Sequence, residues 1–367
     1  MAFSNEEKLA RLRLIRTPQV GPVTFASLIA QFGTAVEAVA NIGEVSMRGG
    51  RAKPLNPASK SKTEDEIAAT HKAGAELIFS GDTNYPNLLA NVEPVPPVLI
   101  VKGHTLLLTK PTVGMVGARN ASANGRNMST TLAKNLGERG YVVVSGMARG
   151  IDTAAHHGSL EEGTVAVLAG GVDSIYPPEN KDLYHAICEQ GLIVAEMPPG
   201  YTAKARDFPR RNRLISGLSL GVVVVEAALR SGSLITARLA GEQSRDVFAV
   251  PGSPLDPRCR GCNQLIKESA VLVETVDDIT DVLEQAQLPL FEEPAGANHN
   301  ARPVAPSDIR DDWRKQILEL LGPAPCEIDD LIRESDVAPG VVRAVLLELD
   351  LAERLDRLPG GKVALKM

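Results

Sequence analysis

Residues 204–236 read KARDFPRRNRLISGLSLGVVVVEAALRSGSLIT, and the order of properties along that stretch decides the class of fold. It opens with five cations, Lys204, Arg206, Arg210, Arg211 and Arg213, against one acid, Asp207. The apolar run Leu220–Val225 has the length of a strand buried on both faces, as strands of parallel sheets are. Ser231-Gly232-Ser233 follows, just before a helical pattern, where small residues leave N–H groups and hydroxyls open to an anion. Cations, a buried strand and an open helix start together describe a phosphate-binding edge of an α/β sheet.

Upstream and downstream of this stretch the pattern repeats. Strands are expected at Val113–Val116, Tyr141–Ser145, Thr164–Leu168, Leu192–Ala195, Asp246–Ala249 and Ala270–Val273. Helical periodicity fills the gaps at Asn124–Arg139, Asp152–Glu162, Lys181–Gln190, Arg211–Leu218, Ser233–Gln243 and Thr275–Gln285. Regular alternation of this kind predicts a doubly wound parallel sheet, whose ligands sit beyond the carboxyl ends of the strands. Glycines fall at those ends: Gly117 before Arg119, then Ser145-Gly146 with Gly150, then Gly170-Gly171. Arg119 and Lys181 are expected to project into the same edge. Neither GxGxxG nor a Walker A loop occupies the first βα turn, so a standard dinucleotide or P-loop site is not indicated.

The flanks read differently. Residues 8–42 hold short helices around Pro18-Gln-Val-Gly21-Pro22, the order of a SAM-like or helix-hairpin-helix module. No Lys or Arg lies between Thr17 and Asn41, which makes a packing role the expectation there. Residues 49–62 are an expected loop, Ala75–Ser80 a short strand, and 93–103 a proline-rich strap. Residues 286–306 are unpatterned and read as a linker. Helical pieces at Trp313–Leu321, Ile328–Glu334 and Gly340–Leu351, then a turn at Pro359-Gly360-Gly361, give the order of a winged helix. A DNA-reading winged helix needs a basic recognition helix. Here that helix has Arg343 against Glu348 and Asp350, crowded by leucines, in a tail with nine Lys and Arg against thirteen acids. A protein-interaction or dimer-packing module is therefore expected. The four parts are 1–74, 75–285, 286–306 and 307–367.

Bulk properties narrow the function classes. The chain has 367 residues, 44% apolar content, 4% aromatics and a net charge of −6, so any polyanion site must be local. No stretch reaches the ~18 apolar residues of a membrane span, and the N-terminus lacks a signal-peptide core, so a cytoplasmic protein with no membrane partner is expected. The CxxC pair Cys259 and Cys262 has no second pair or His partner to complete a zinc site, which points to free thiols and no metal.

Taken together, the motifs resemble the DNA-processing protein A (DprA, or Smf) family over most of the chain. The residues that carry the likeness are VGMVGAR from Val113, SGMARGID from Ser145, AVLAGGVD from Ala166 with Tyr176-Pro177 and Asn180, and EMPPG from Glu196. FPRRNR from Phe208, SGSLITA from Ser231 and FAVPG from Phe248 complete the set. The resemblance implies an extended Rossmann-like core with SAM-like and winged-helix additions. It also implies a homodimer with no catalytic activity and no cofactor, which binds single-stranded DNA in natural transformation and loads the RecA recombinase. Carried over by position, Arg119 and Lys181 hold phosphates, and Arg210, Arg211, Asn212 and Arg213 extend the pocket with Ser231, Gly232 and Ser233. Ala118 stands where the family usually has Ser or Thr, leaving a backbone N–H without a hydroxyl. Tyr176, Tyr184 and Phe208 are stacking candidates. The competing expectation is a nucleotide-processing phosphoribohydrolase on the same sheet type, with Glu196 and Glu226 as acid or base and Arg213 as electrophile. Its glycine-rich catalytic loop is missing, since Glu226-Ala-Ala-Leu-Arg-Ser-Gly-Ser stands in its place.

Overall fold

A computed structural model describes residues 3–287, 309–358 and 360–366. It divides into two compact units. One is made of Glu66–Glu292, the other of Met1–Asp65 together with Glu293–Met367.

The larger unit is built on a nine-stranded sheet. Its strands are β1 (Glu76–Phe79), β2 (Val98–Gly103), β3 (Thr112–Val116), β4 (Val142–Ser145), β5 (Thr164–Val167), β6 (Leu192–Ala195), β7 (Gly221–Val224), β8 (Asp246–Ala249) and β9 (Val271–Leu272). They lie in the order β1-β2-β6-β5-β4-β3-β7-β8-β9. From β6 to β9 every pairing is parallel, and β1 and β2 close one edge in antiparallel fashion. The proline-rich strap thus ends in a strand. Pro94, Pro96 and Pro97 lie ahead of it, while Leu99, Ile100 and Val101 are buried at its centre.

Both faces of this sheet are covered. Val142 and Val144 of β4 join one apolar cluster and Val143 between them joins another. Alternate residues point to opposite faces of a strand, so a continuous valine run is what such a position selects. On β7, Val222, Val223 and Val224 have no exposed surface, which contributes roughly 1.5–3 kcal/mol for each side chain.

The chain runs β3, β4, β5, β6 away from the sheet centre, then returns to place β7 on the other side of β3. Val113 pairs with Gly221 and Val116 with Val224. The order reverses between β3 and β7, and a crevice opens beyond their carboxyl ends at such a reversal. Its lining draws on α7 (Ile151–Ser159) after β4, α9 (Asp207–Gly217) before β7 and α10 (Gly232–Glu242) after it, while α6 (Ala123–Glu138) follows the turn after β3. Helix α9 starts four residues ahead of the expected Arg211, and so carries Arg210, Arg211 and Arg213, with Arg206 at its N-cap.

The smaller unit has two apolar cores. Helices α1 (Asn5–Arg16), α2 (Pro22–Phe32) and α3 (Ala35–Arg48) pack around Leu14, Phe25, Leu28 and Ile42. Glu7 links two of them, since both its oxygens accept the Ala35 N–H at 3.0 Å and one accepts Arg11 Nε at 2.8 Å. The other core is a winged helix: α13 (Asp311–Leu320), β10 (Cys326–Glu327), α14 (Ile328–Ser335), α15 (Pro339–Leu351), β11 (Leu355–Leu358) and β12 (Lys362–Leu365). The expected linker begins inside α12 (Asp277–Gln287), and from residue 288 it lies outside the described residues. Among the described residues, no single helix is long and apolar enough to cross a membrane.

Candidate nucleic-acid interface

The crevice at the strand-order reversal is a cleft of about 960 Å³. One wall is the turn after β3, with Gly117, Ala118, Arg119 and Asn120. The other is the turn after β7 and the start of α10, with Arg230, Ser231, Gly232 and Ser233. Phe208, Arg211 and Asn212 of α9 face it, as do Asp152 of α7 and Tyr176. A smaller pocket of about 270 Å³ shares Arg119, Tyr176, Phe208 and Arg211 and adds Gly146.

Glu226 fixes the first wall. Its carboxylate accepts the Ser122 N–H at 2.9 Å and also takes the Ser122 hydroxyl, while Ser122 Oγ accepts the Gly125 N–H at 2.9 Å. Ser122 is the N-cap of α6, so a buried acid at the end of β7 orients the turn that carries Arg119. The turn after β4 depends on Gly150, whose φ of +79° suits glycine and whose place leaves no room for a Cβ beside Ala118 O. Gly150 leads directly into α7, whose second residue, Asp152, faces the cleft. Ser231 caps α10, with its hydroxyl accepting the Ser233 N–H at 3.3 Å and meeting Ser233 Oγ at 2.6 Å.

The cations of the stretch 204–236 divide into two kinds. Arg211 is only 7% exposed. Its Nη1 donates to Gly146 O at 2.6 Å and to Val167 O, tying α9 to the turn after β4 and the end of β5. Gly146 makes space for this, since a Cβ there would lie 2.5 Å from Arg211 Nη1 and 2.7 Å from Asp152 Oδ2. Burial brings the guanidinium down to about 10, against the opposing pull of Asp152. Burial likewise raises Asp152 to about 6, although Arg211 and the N–H groups of Ala148 and Gly146 favour its charged form. Arg211 therefore holds the cleft together as well as lining it. Arg213 is committed elsewhere, to Glu196 and to Pro94 O at 3.2 Å.

Arg119 and Arg230 are different. Both are exposed at the cleft, and neither has an ion pair among the described residues. The Arg119 guanidinium lies 5.6 Å from the Phe208 ring centre, and that ring meets Tyr176 at 5.6 Å, tilted by 60°. Tyr176 is 53% exposed, so one aromatic face is open to solvent beside a cation. Arg258 also lines the cleft but is bonded to Asp256 at 2.7 and 3.0 Å, which neutralises much of its charge.

The structure brings Gly117, Arg119, Gly146, Arg211, Asn212, Ser231, Gly232 and Ser233 around this cleft and its annex. It places Ser145, Gly150, Gly170, Lys181, Arg210 and Arg213 outside the lining. Ser145 has no exposed surface and donates its hydroxyl to Met115 O at 2.6 Å, so it supports the sheet. Tyr184 is buried with its hydroxyl on Val172 O at 2.5 Å, which removes it from the stacking candidates. Arg230, Asp152 and Asn120 were not among the expected residues. Arg230 directly precedes Ser231 in sequence, and that adjacency was the signal available.

The residues proposed for other chemistry are engaged in structure. Glu226 holds Ser122, the N-cap of α6, and Glu196 pairs with Arg213. His156 is buried with Nδ1 at 2.8 Å from Thr164 Oγ1, and burial depresses it to about 3, which keeps it neutral. Cys259 is the N-cap of α11 (Arg260–Lys267) and Cys262 lies within that helix; both are free thiols, and burial pushes Cys262 up to about 12. No group of three or more His, Cys, Asp or Glu that could hold a metal occurs among the described residues.

Comparison with known proteins agrees over nearly the whole chain. The family described as DNA recombination-mediator protein A matches residues 76–284. The DprA-like N-terminal HHH domain matches residues 5–69 and the DprA winged helix domain residues 301–361. The chain belongs to the DprA family. The Smf protein of Escherichia coli K12 is 35% identical over 310 residues, covering 84% of this chain and 82% of that protein. The DNA processing protein DprA of Bacillus subtilis is 41% identical over 220 residues, 59% of this chain and 74% of that one. The X-ray structure of DprA from Streptococcus pneumoniae superposes with a TM-score of 0.64 at 33% identity, covering 77% of this chain and 98% of that one. A second DprA structure, from Helicobacter pylori, has a TM-score of 0.53 at 29% identity over 58% of this chain and 96% of that one. Its description concerns a single-stranded DNA binding mode of that protein.

Proposed function

We propose that this chain binds single-stranded DNA in the cleft between β3 and β7 and acts there as a recombination mediator in DNA processing during transformation. The observation that carries the reading is the pair of exposed arginines without ion pairs among the described residues, Arg119 and Arg230, on opposite walls of a cleft that also holds an open Tyr176–Phe208 face. Cations track a backbone, and an aromatic face accepts any base, which is the physics of sequence-tolerant single-strand binding. A net charge of −6 keeps the rest of the surface from competing for polyanion. Lys181 and Arg210 are both exposed outside the lining.

Binding is the whole activity in this proposal. Glu226 and Glu196 are spent on holding a helix N-cap residue and on an ion pair, which argues against either as a general acid or base. Hand-over of the strand to the RecA recombinase, the homodimer and a cytoplasmic setting belong to the same proposal and rest on the family resemblance.

The test is oligonucleotide binding across a salt series, with wild type beside Arg119→Ala and Arg230→Ala. About four neutralised phosphates give a slope near −3 in log K against log salt for a single strand. Each substitution is expected to weaken binding and make the slope shallower by about 0.7. Weak binding that neither change affects would overturn the proposal.

A further inference from the structure

The end unit holds a winged helix whose recognition helix is already occupied. Helix α15 carries two apolar faces. Val341, Val345, Leu346 and Leu349 belong to the winged-helix core, whereas Leu347 and Leu351 belong to the cluster of Leu14, Phe25, Leu28, Ile42 and Val45. The second face therefore lies on α2 and α3, from the opposite end of the chain. Polar contacts seal the same junction. Thr24 Oγ1 donates to Asp350 Oδ2 at 3.0 Å, Arg354 Nη1 to Gly49 O at 3.2 Å and Arg51 Nη1 to Leu351 O at 3.3 Å. Gly49 approaches so closely that a Cβ would overlap Glu348 O of α15, a fit that only glycine permits.

The acids of this helix are already engaged. Glu348 is 1% exposed and paired with Arg314 at 2.8 and 3.0 Å, Asp350 takes Thr24 of α2 and Arg357, and Glu353, just past the end of α15, meets Gln19 in the turn between α1 and α2. On that turn Gln19 Nε2 donates to Glu353 Oε1, and Arg51 Nη1 bonds Gln19 Oε1 at 2.7 Å and Glu353 Oε1 at 3.4 Å, so the side chain of the turn is tied into an ion-paired network.

We infer that the winged helix is a protein-binding module whose partner is the N-terminal helical module. The two chain ends make one composite domain that contributes no DNA contact of its own. The surface that reads DNA in other winged helices is here a packing face, and the turn of the N-terminal module is closed by the same contact. The inference concerns the end unit and stands apart from the cleft reading, because its first test uses no DNA.

That test is hydrogen exchange on the full chain. Leu347→Asp with Leu351→Asp attacks the junction from α15 while sparing the winged-helix core, and Gly49→Val attacks it from α3. Either variant is expected to raise exchange in Pro22–Phe32 and Ala35–Arg48 by about tenfold or more, with the β3–β7 region unchanged. Unchanged exchange in both helices overturns the inference. A locking variant guards against misfolding: Thr24→Cys with Asp350→Cys, on a background where Cys188, Cys259 and Cys326 become Ser and Cys262 becomes Ala. Oxidation is expected to give a cross-link within one chain and to leave single-strand and duplex binding within about twofold of the reduced form. A cross-link formed only between two chains, or a locked protein with binding altered more than about fivefold, contradicts it.

Discussion

Replacing Arg211 with Ala removes the clamp that joins α9 to the turn after β4 and the end of β5. The side chain is 7% exposed and donates to Gly146 O and Val167 O, so the substitution strands two buried carbonyls. It also strips Asp152 of its main charge partner inside the protein. Leaving a buried carboxylate without its nearby cation and two buried carbonyls without their donor costs about 3–5 kcal/mol. For a unit of this size each kcal/mol moves the midpoint by about 2–4 °C, so Tm is expected to fall by roughly 6–20 °C. The assay is thermal unfolding followed by circular dichroism at pH 8, where Asp152 is ionised. Arg211→Met combined with Asp152→Asn is expected to recover much of the loss, because neither partner is then left charged and alone. A midpoint for Arg211→Ala within about 2 °C of wild type would refute the reasoning. Loss of DNA binding in Arg211→Ala then reports a collapsed wall rather than a missing phosphate contact.

The other expectations follow from the same geometry. Arg119→Ala and Arg230→Ala, at exposed positions, are expected to leave Tm within about 2 °C and to weaken single-strand binding, as thermal unfolding beside fluorescence anisotropy would show. Tyr176→Ala is expected to weaken binding by about 1–3 kcal/mol with unchanged stability, read by the same pair of assays. Asp152 has a folded-state value of about 6 against 3.8 for the free side chain. The folded protein thus binds more protons than the unfolded chain between those values, and this group's contribution to stability falls as pH rises from about 4 to about 6. Below pH 6 its protonation also removes a negative charge from the cleft, so single-strand binding is expected to tighten from pH 7 to pH 5.5, and Asp152→Asn is expected to abolish that dependence. Glu226→Ala is expected to lower stability by about 1–3 kcal/mol through loss of the Ser122 contacts, measured by denaturant unfolding.

The sheet was legible because a doubly covered parallel strand must be apolar throughout, and runs such as Val222–Val225 have few other uses. Strand β2 was hidden by Pro94, Pro96 and Pro97, which read as a strap although they only lead into it. At the site, the turns with Gly117, Gly146 and Ser231–Ser233 could be read from where glycine and serine follow strands. What could not be read was the fate of each arginine. Arg210, Arg211 and Arg213 look alike in sequence, yet one is exposed, one clamps backbone carbonyls and one pairs with Glu196, seventeen positions away. Helix phase against the sheet decides among them, and phase depends on where α9 starts. The leucines crowding α15 announced a protein-binding helix, but that its partner is the N-terminal module depends on contacts 300 positions apart, as between Arg51 and Leu351.

The most direct measurement is photo-crosslinking of a 5-bromodeoxyuridine-substituted single strand to the full chain, with the attachment sites located by mass spectrometry. Cross-links at Tyr176 or Phe208, and in peptides spanning residues 117–120 and 228–236, are what a strand held in the β3–β7 cleft predicts. Cross-links concentrated instead in residues 5–48 or 311–366, with none at Tyr176 or Phe208, would contradict it.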